Sequence, residues 1–123
     1  MRDATSGGPF TESKCQDNFL VLSKEFIAKD QIEDPHNVLL QLSIDGEVKQ
    51  EDLTGNMLFK IHEQINFVSE NGISINRGDL LLSGTPEGIS FVSPGNLLEA
   101  KMYVNDQLIA SIKQFIIREV ADS

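Results

Sequence analysis

The chain has 123 residues, 40% of them hydrophobic, and a formal net charge of −9 from 19 acidic and 10 basic residues. This length suits one domain with its own core, spanning residues 1–123, and the acidic balance argues against a nucleic-acid surface, which needs clustered basic residues. The apolar runs are too short to cross a bilayer, which excludes a membrane protein. The one cysteine, Cys15, cannot form an internal disulfide, so we expect an intracellular protein.

The first third of the chain predicts loops and one short strand. Residues 1–13 are rich in glycine, serine and threonine, which is typical of a loop. The apolar run at residues 18–22 predicts a buried strand. Residues 34–37 (Asp-Pro-His-Asn) predict a turn in which His36 is exposed, since a general base needs a positioned partner and none is evident.

Residues 38–50 predict a β-hairpin. Residues 38–44 alternate in hydrophobicity as a strand does, and residues 47–50 return along it. Between them, Asp45-Gly46 is typical of a type I′ turn.

After this hairpin the hydrophobic period changes to that of a helix. Residues 56–70 predict an amphipathic helix of about four turns, with Thr54 or Asn56 as its N-cap and Asn71-Gly72 as its end. Its apolar stripe consists of Met57 or Leu58, Ile61, Ile65 and Val68. Lys60 and His62 fall outside the stripe and are expected to be solvated, so we assign the helix a packing role only.

A second hairpin is predicted near the end of the chain. Residues 97–104 and 107–113 read as strands, and Asn105-Asp106 forms the turn between them. The whole pattern predicts a β-rich α+β fold, in which short strands form mixed, rolled or sandwich-like sheets with one substantial helix packed on them.

Between the helix and this hairpin, three leucines run into a polar loop. Residues 80–83 predict a short buried strand that delivers residues 84–88 (Gly-Thr-Pro-Glu-Gly) to one edge of the core. Gly84 and Gly88 permit close approach of a ligand to the backbone, Pro86 stiffens the loop, and Thr85 supplies a hydroxyl. On residue types alone, both a ligand-binding loop and a plain strand-to-turn junction remain open.

Residues 78–88 resemble the signature G-D, three hydrophobic residues, [TS]-G-T-P-x-G of the fumarylacetoacetate hydrolase family, whose enzymes act on acylpyruvates and related 2-oxo acids. Further stretches agree in order: residues 7–14, residues 29–37, Gly46-Glu47 with Gln50, and residues 54–59. The resemblance covers roughly residues 2–100. It implies the family's mixed β-sandwich or β-roll, commonly a homodimer.

The resemblance also implies roles for individual residues. Lys14, which would otherwise pass for a surface lysine, would be the catalytic cation that stabilises a developing oxyanion. The substrate carboxylate would be bound by the loop and steadied by Arg2; the loop residues are Gly84, Thr85, Pro86, Glu87 and Gly88. Cys15 is expected to be a small buried filler.

The family's enzymes use Mg²⁺ or Mn²⁺ as a Lewis acid on the 2-oxo acid. By the resemblance, the metal-binding carboxylates and the catalytic His–Glu pair would lie before Met1, so this chain is expected to be a C-terminal half with no metal ligand assigned and no tight metal binding. The implied function is hydrolysis of an acylpyruvate, or decarboxylation or tautomerisation of oxaloacetate, in the cytoplasm or the mitochondrial matrix. The alternative is a truncated, non-catalytic paralogue that keeps the fold and a dimer or partner-binding surface.

Overall fold

The computed structural model describes residues 20–118. These residues form four strands and one α-helix: β1 (Leu39–Ile44), β2 (Glu47–Leu53), α1 (Ile61–Glu70), β3 (Leu97–Val104) and β4 (Gln107–Phe115). Two short 3₁₀ turns, Lys29–Gln31 and Thr54–Asn56, precede β1 and follow β2. No helix among these residues is long and apolar enough to cross a membrane.

The strands form one antiparallel sheet in the order β2-β1-β3-β4. The two predicted hairpins lie side by side, because β1 of the first pairs with β3 of the second. Leu42 on β1 lies between Gln50 of β2 and Ala100 of β3, so these side chains share one face of the sheet. The predicted α+β class is confirmed.

Both hairpin turns are confirmed. Asp45 and Gly46 have φ values of 51° and 85°, and Asn105 and Asp106 have 49° and 64°, which is the left-handed pair that a type I′ turn requires. Asp45 has a second task. Its carboxylate accepts hydrogen bonds from the backbone N–H of Leu97 (2.8 Å) and from Nδ2 of Asn96 (2.6 Å), so the first turn also holds the start of β3.

Within residues 20–118 the core is small. Only Val38, Ser43 and Ile44 are buried there. Thr54 holds Val38 in place: its Oγ1 accepts the Val38 N–H (3.1 Å) and donates to the carbonyl of Pro35 (2.7 Å). The predicted turn at residues 34–37 is present, since the N–H of Asn37 donates to the carbonyl of Asp34.

The helix begins five residues later than predicted. The hydroxyl of Thr54 is already committed to other segments, so it cannot cap the helix, and Lys60 is the N-cap instead. The predicted end is right, since Asn71 is the C-cap and Gly72 has φ 79°.

Two side chains at the helix start also differ from expectation. His36 is half-buried rather than exposed, and its Nε2 accepts the free N–H of Ile61 (3.2 Å). Lys60 is half-buried and donates to the carbonyl of Gly55 instead of being solvated. The histidine therefore has a structural partner that sequence spacing did not reveal.

Two predicted strands are wrong. Leu20, Val21 and Leu22 are not in a strand, and neither are residues 80–83. A strand needs backbone hydrogen bonds to a neighbouring strand, and residues 80–83 make none with the described residues. Leu80 and Leu82 are accordingly 54% and 70% exposed.

The contact between Asn96 and Asp45 leads to a stability prediction. In Asn96→Asp the donor is replaced by a second carboxylate beside that of Asp45, which should lower the free energy of unfolding by about 1 kcal/mol near neutral pH. The control is Asn105→Asp, which adds the same charge at an exposed turn. Position 105 has a positive φ, which asparagine and aspartate both tolerate. Urea unfolding compares the two, and equal stability of both variants would contradict the assigned contact.

Candidate functional site

The loop of residues 84–88, hereafter the Thr85 loop, is held on the sheet by one side chain, Gln50 of β2. The Gln50 amide nitrogen donates to the carbonyl oxygens of Pro86 (3.2 Å) and Gly88. Its Oε1 is 3.1 Å from the hydroxyl of Thr85. One amide group therefore contacts three of the five loop residues.

The chemistry of the partners fixes which way this amide points. Carbonyl oxygens only accept hydrogen bonds, so the NH₂ of Gln50 must face Pro86 and Gly88. The remaining oxygen also only accepts, so the Thr85 hydroxyl donates to it. The Thr85 hydrogen is thus directed towards the sheet when no ligand is bound.

Gly88 lets the loop lie directly against the backbone of β2. Its φ is 118°, and a Cβ added there would lie 2.9 Å from the carbonyl oxygen of Lys49. Lys49 is the extra residue of a β-bulge, because Leu42 pairs with Gln50 whereas the next residue, Ser43, pairs with Val48. Bulges of this kind are frequent beside binding sites, where they redirect the strand.

The Thr85 loop borders two neighbouring clefts on the same face of the sheet. The first has a volume of about 380 Å³ and runs over Leu40, Leu42 and Met102 towards β4. The second, of about 500 Å³, continues past Glu87 and Gly88. Both are lined by Leu42, Gln50, Thr85 and Pro86.

Next to these clefts is a run of backbone donors. Within residues 20–118, no backbone N–H of residues 80–92 donates a hydrogen bond to the protein. Thr85 and Glu87 are exposed, so their N–H groups can reach solvent or a ligand. A carboxylate is an acceptor-only group and can be bound by such donors.

The outcome for the predicted site residues is mixed. Thr85, Pro86 and Gly88 are brought together by Gln50; Gly84 lines the first cleft and Glu87 the second. Arg2, Lys14 and Cys15 lie outside the described residues, so their roles stay predictions.

The described residues do not fit a metal site. Within 20–118, no group of three or more His, Cys, Asp or Glu side chains could hold a metal ion. No chemical step assigned to these residues therefore depends on a metal that they would bind.

Sequence analysis missed the importance of Gln50, which entered only as a matching position in the family resemblance. A signal was available: along the return strand, position 50 faces the same side as the apolar Leu42, so a polar side chain there needs a partner. The partners lie 35 to 38 positions further along the chain, and this distance hid them.

Residues 1–116 match the family model described as fumarylacetoacetate (FAA) hydrolase C-terminal, and the chain belongs to this family. The family resemblance of residues 2–100 is thereby confirmed.

Among its relatives is the mitochondrial oxaloacetate tautomerase oaa1 of Schizosaccharomyces pombe, 44% identical over 96 residues, which are 78% of this chain and 42% of the relative. Maleylpyruvate hydrolase of Aquipseudomonas alcaligenes is 31% identical over 102 residues, 81% of this chain and 35% of that protein. The chain thus spans less than half the length of either relative.

A solved structure shows the same fold. It is maleylpyruvate hydrolase from Sphingobium sp. SYK-6 in complex with manganese(II) and pyruvate, with a TM-score of 0.65 and 21% identity. The match covers 74% of this chain and 33% of that chain.

The close approach of Gly88 gives a second prediction. Alanine at Gly84 or Gly88 must adopt an unfavourable positive φ, which costs about 1–2 kcal/mol, but only at Gly88 would the new methyl group also meet a backbone carbonyl. Gly88→Ala should therefore lower the free energy of unfolding by about 1–3 kcal/mol more than Gly84→Ala.

Denaturant unfolding of the two variants measures this difference. Gly84→Ala is the matched control, since its φ of 111° is similar and no atom lies within 4 Å of the added methyl. Equal losses in the two variants would show that the loop is not packed on Lys49.

Proposed function

We propose that this chain provides the carboxylate-binding side of the active site in a divalent-metal-dependent enzyme acting on a 2-oxo acid. The reaction is tautomerisation or decarboxylation of oxaloacetate, or hydrolysis of an acylpyruvate. The observation that carries this proposal is the Thr85 loop, which bears the family's sequence signature and presents backbone N–H groups beside a cleft, free of protein partners within residues 20–118.

In the proposed chemistry, two different groups of residues contact the carboxylate and the oxo oxygen of the substrate. The carboxylate is received by the N–H groups of the Thr85 loop and by the Thr85 hydroxyl, and Arg2 steadies it. A bond to the carbon next to the oxo group breaks, by transfer of its proton to a base of the complete enzyme in tautomerisation, by loss of CO₂ in decarboxylation, or by loss of the acyl group to water in hydrolysis. The electron pair of that bond then moves towards the oxo oxygen, where negative charge develops. Lys14 stabilises that charge, and a cation in this role lowers the barrier of the chemical step rather than the affinity of the ground state.

The metal supplies Lewis-acid polarisation in this class of enzyme when it is bound. Mg²⁺ or Mn²⁺ is proposed for the complete enzyme, with ligands outside residues 20–118. This proposal is supported by the Sphingobium structure, which is named as a complex with manganese(II) and pyruvate. That protein is similar to this chain in fold.

The setting of the enzyme is also a proposal. The relative oaa1 is named as mitochondrial, which favours the mitochondrial matrix over the cytoplasm. A homodimer is proposed from the family resemblance. No nucleic acid partner is proposed, because the net charge of −9 opposes binding to phosphates.

The third prediction tests the proposed enzymatic function at Thr85, which would bind the substrate carboxylate, and at Lys14, which would stabilise the oxyanion. The complete enzyme that contains this chain should, with Mg²⁺, accelerate conversion of enol to keto oxaloacetate, followed by ultraviolet absorbance, or release pyruvate from an acylpyruvate. Thr85→Ala should raise KM about tenfold through loss of a hydrogen bond to a charged group, and Lys14→Ala should lower kcat about 10²-fold.

Lys24→Ala is the control, since Lys24 is exposed and outside the loop. Unchanged turnover in Lys14→Ala would show that the family's lysine has been assigned to the wrong residue. A folded complete enzyme that accelerates neither reaction at any metal concentration would contradict the enzymatic proposal.

The fourth prediction concerns the metal alone. Residues 20–118 offer no ligand cluster, and the family resemblance places the metal ligands before Met1, so titration calorimetry of the isolated chain with Mg²⁺ or Mn²⁺ should give no stoichiometric site of micromolar affinity. A stoichiometric site with that affinity would show that residues 1–19 or 119–123 contribute ligands.

A non-catalytic partner-binding protein is the second candidate. The observation that favours it is the exposure of apolar side chains on both sides of the Thr85 loop: Leu82 is 70% exposed, Ile89 92% and Phe91 94%. Exposed apolar residues in such a group are typical of an interaction surface. Self-association without activity in the assays above would favour this candidate.

A further inference from the structure

We infer that Gln50 is the positioning residue of the Thr85 loop, and that its side-chain amide determines which way the loop's donors face. The inference rests on the proposed function for its substrate, a 2-oxo acid, but not for the loop geometry itself. Gln50 has no assigned role in the reaction. It acts on the substrate only through the residues it holds.

Nothing else polar in the described part of the chain holds this loop. Within residues 20–118, every hydrogen bond made by residues 84–88 goes to Gln50. The backbone carbonyls of Pro86 and Gly88 both point at its amide nitrogen. Because those two carbonyls face the sheet, the loop is held in one orientation relative to the strand.

The loop has two kinds of hydrogen-bond donor, the backbone N–H groups and the Thr85 hydroxyl. Carbonyls that are bound to Gln50 do not compete for the neighbouring N–H groups, so these donors stay available to a ligand beside the cleft. The Thr85 hydrogen is different, because Gln50 Oε1 accepts it in the ligand-free loop. A carboxylate must therefore compete with Gln50 for that hydrogen.

Gln50 competes only weakly for the Thr85 hydrogen. The O···O distance of 3.1 Å is longer than the 2.7–2.8 Å that is usual for hydroxyl donors, so the bond is easily exchanged for one to a charged acceptor. Glutamate at position 50 reverses this balance. A carboxylate there cannot donate to Pro86 or Gly88, and it holds the Thr85 hydrogen more strongly than an amide oxygen does.

The fifth prediction follows from Gln50→Glu and uses the whole chain, whose mass of 13.6 kDa suits ¹H–¹⁵N NMR. Without ligand, the backbone amide resonances of Thr85, Glu87 and Gly88 should shift, while those of β3 and β4 stay in place. With sodium pyruvate and Mg²⁺ added, the wild type should show saturable shifts of the same amides. The variant should bind pyruvate about tenfold more weakly.

Gln114→Glu is the matched control. It makes the same chemical change on β4, where the amide contacts only the carbonyl of the adjacent Phe115 among the described residues. It should leave the loop resonances and the pyruvate affinity unchanged. Thermal unfolding of both variants shows whether a shift reflects the loop or a loss of the fold.

A double-mutant cycle separates positioning from simple stabilisation. Gln50→Leu and Thr85→Val each remove one side of the Gln50–Thr85 contact, so their effects on pyruvate affinity should be non-additive if Gln50 acts through Thr85. In the turnover assays the Gln50 variants should raise KM while kcat changes by less than twofold. Additive effects, or a fall in kcat alone, would overturn the inference.

The NMR experiment distinguishes failure of the proposed function from failure of the inference about Gln50. If pyruvate shifts no loop amide in the wild type, the proposed function fails, and the ligand-free loop resonances still decide whether Gln50 positions the loop. If pyruvate binds but Gln50→Glu leaves both the resonances and the affinity unchanged, the inference fails and the proposed function stands.

Discussion

The pairing of β1 with β3 is the constraint on which the rest of the described structure depends. It joins two hairpins whose contact at Asp45 and Leu97 spans 52 positions of the chain, and closing so long a connection costs conformational entropy. Six residue pairs, from Leu39–Tyr103 to Ile44–Leu98, and the carboxylate of Asp45 offset that cost. Once these strands pair, residues 54–96 have to leave the sheet and return to it, and this return brings the Thr85 loop beside β2.

The site then combines a fixed surface with a loop that is only lightly attached. The strand carrying Gln50 is held by backbone hydrogen bonds to β1, whereas the loop is held by the polar atoms of one side chain and the close approach of Gly88. Backbone N–H groups that are committed to a sheet cannot bind a ligand. Because residues 80–83 do not form a strand, and their N–H groups have no protein acceptor within 20–118, these donors remain for a carboxylate.

The parts of the fold that sequence predicted are those with local causes. The Asp45-Gly46 and Asn105-Asp106 turns require residues that tolerate positive φ, and Gly72 ends the helix for the same reason. The helix start depended instead on the Thr54 hydroxyl, which bonds to Pro35, 19 positions away. The loop was recognisable from its own signature, but its holder, Gln50, was not, because that contact exists only after the hairpins have paired.

Burial links the stability of this fold to the affinity of its site. Only three residues are buried within 20–118, and Ile89 and Phe91 beside the loop are more than 90% exposed. Covering such side chains contributes about 25 cal/mol per Å² of apolar surface. The same cover would exclude water from the N–H groups of the Thr85 loop, and hydrogen bonds to a carboxylate strengthen as the local dielectric falls. Whatever segment or partner packs on this face would therefore stabilise the sheet and tighten the loop's hold on a 2-oxo acid together.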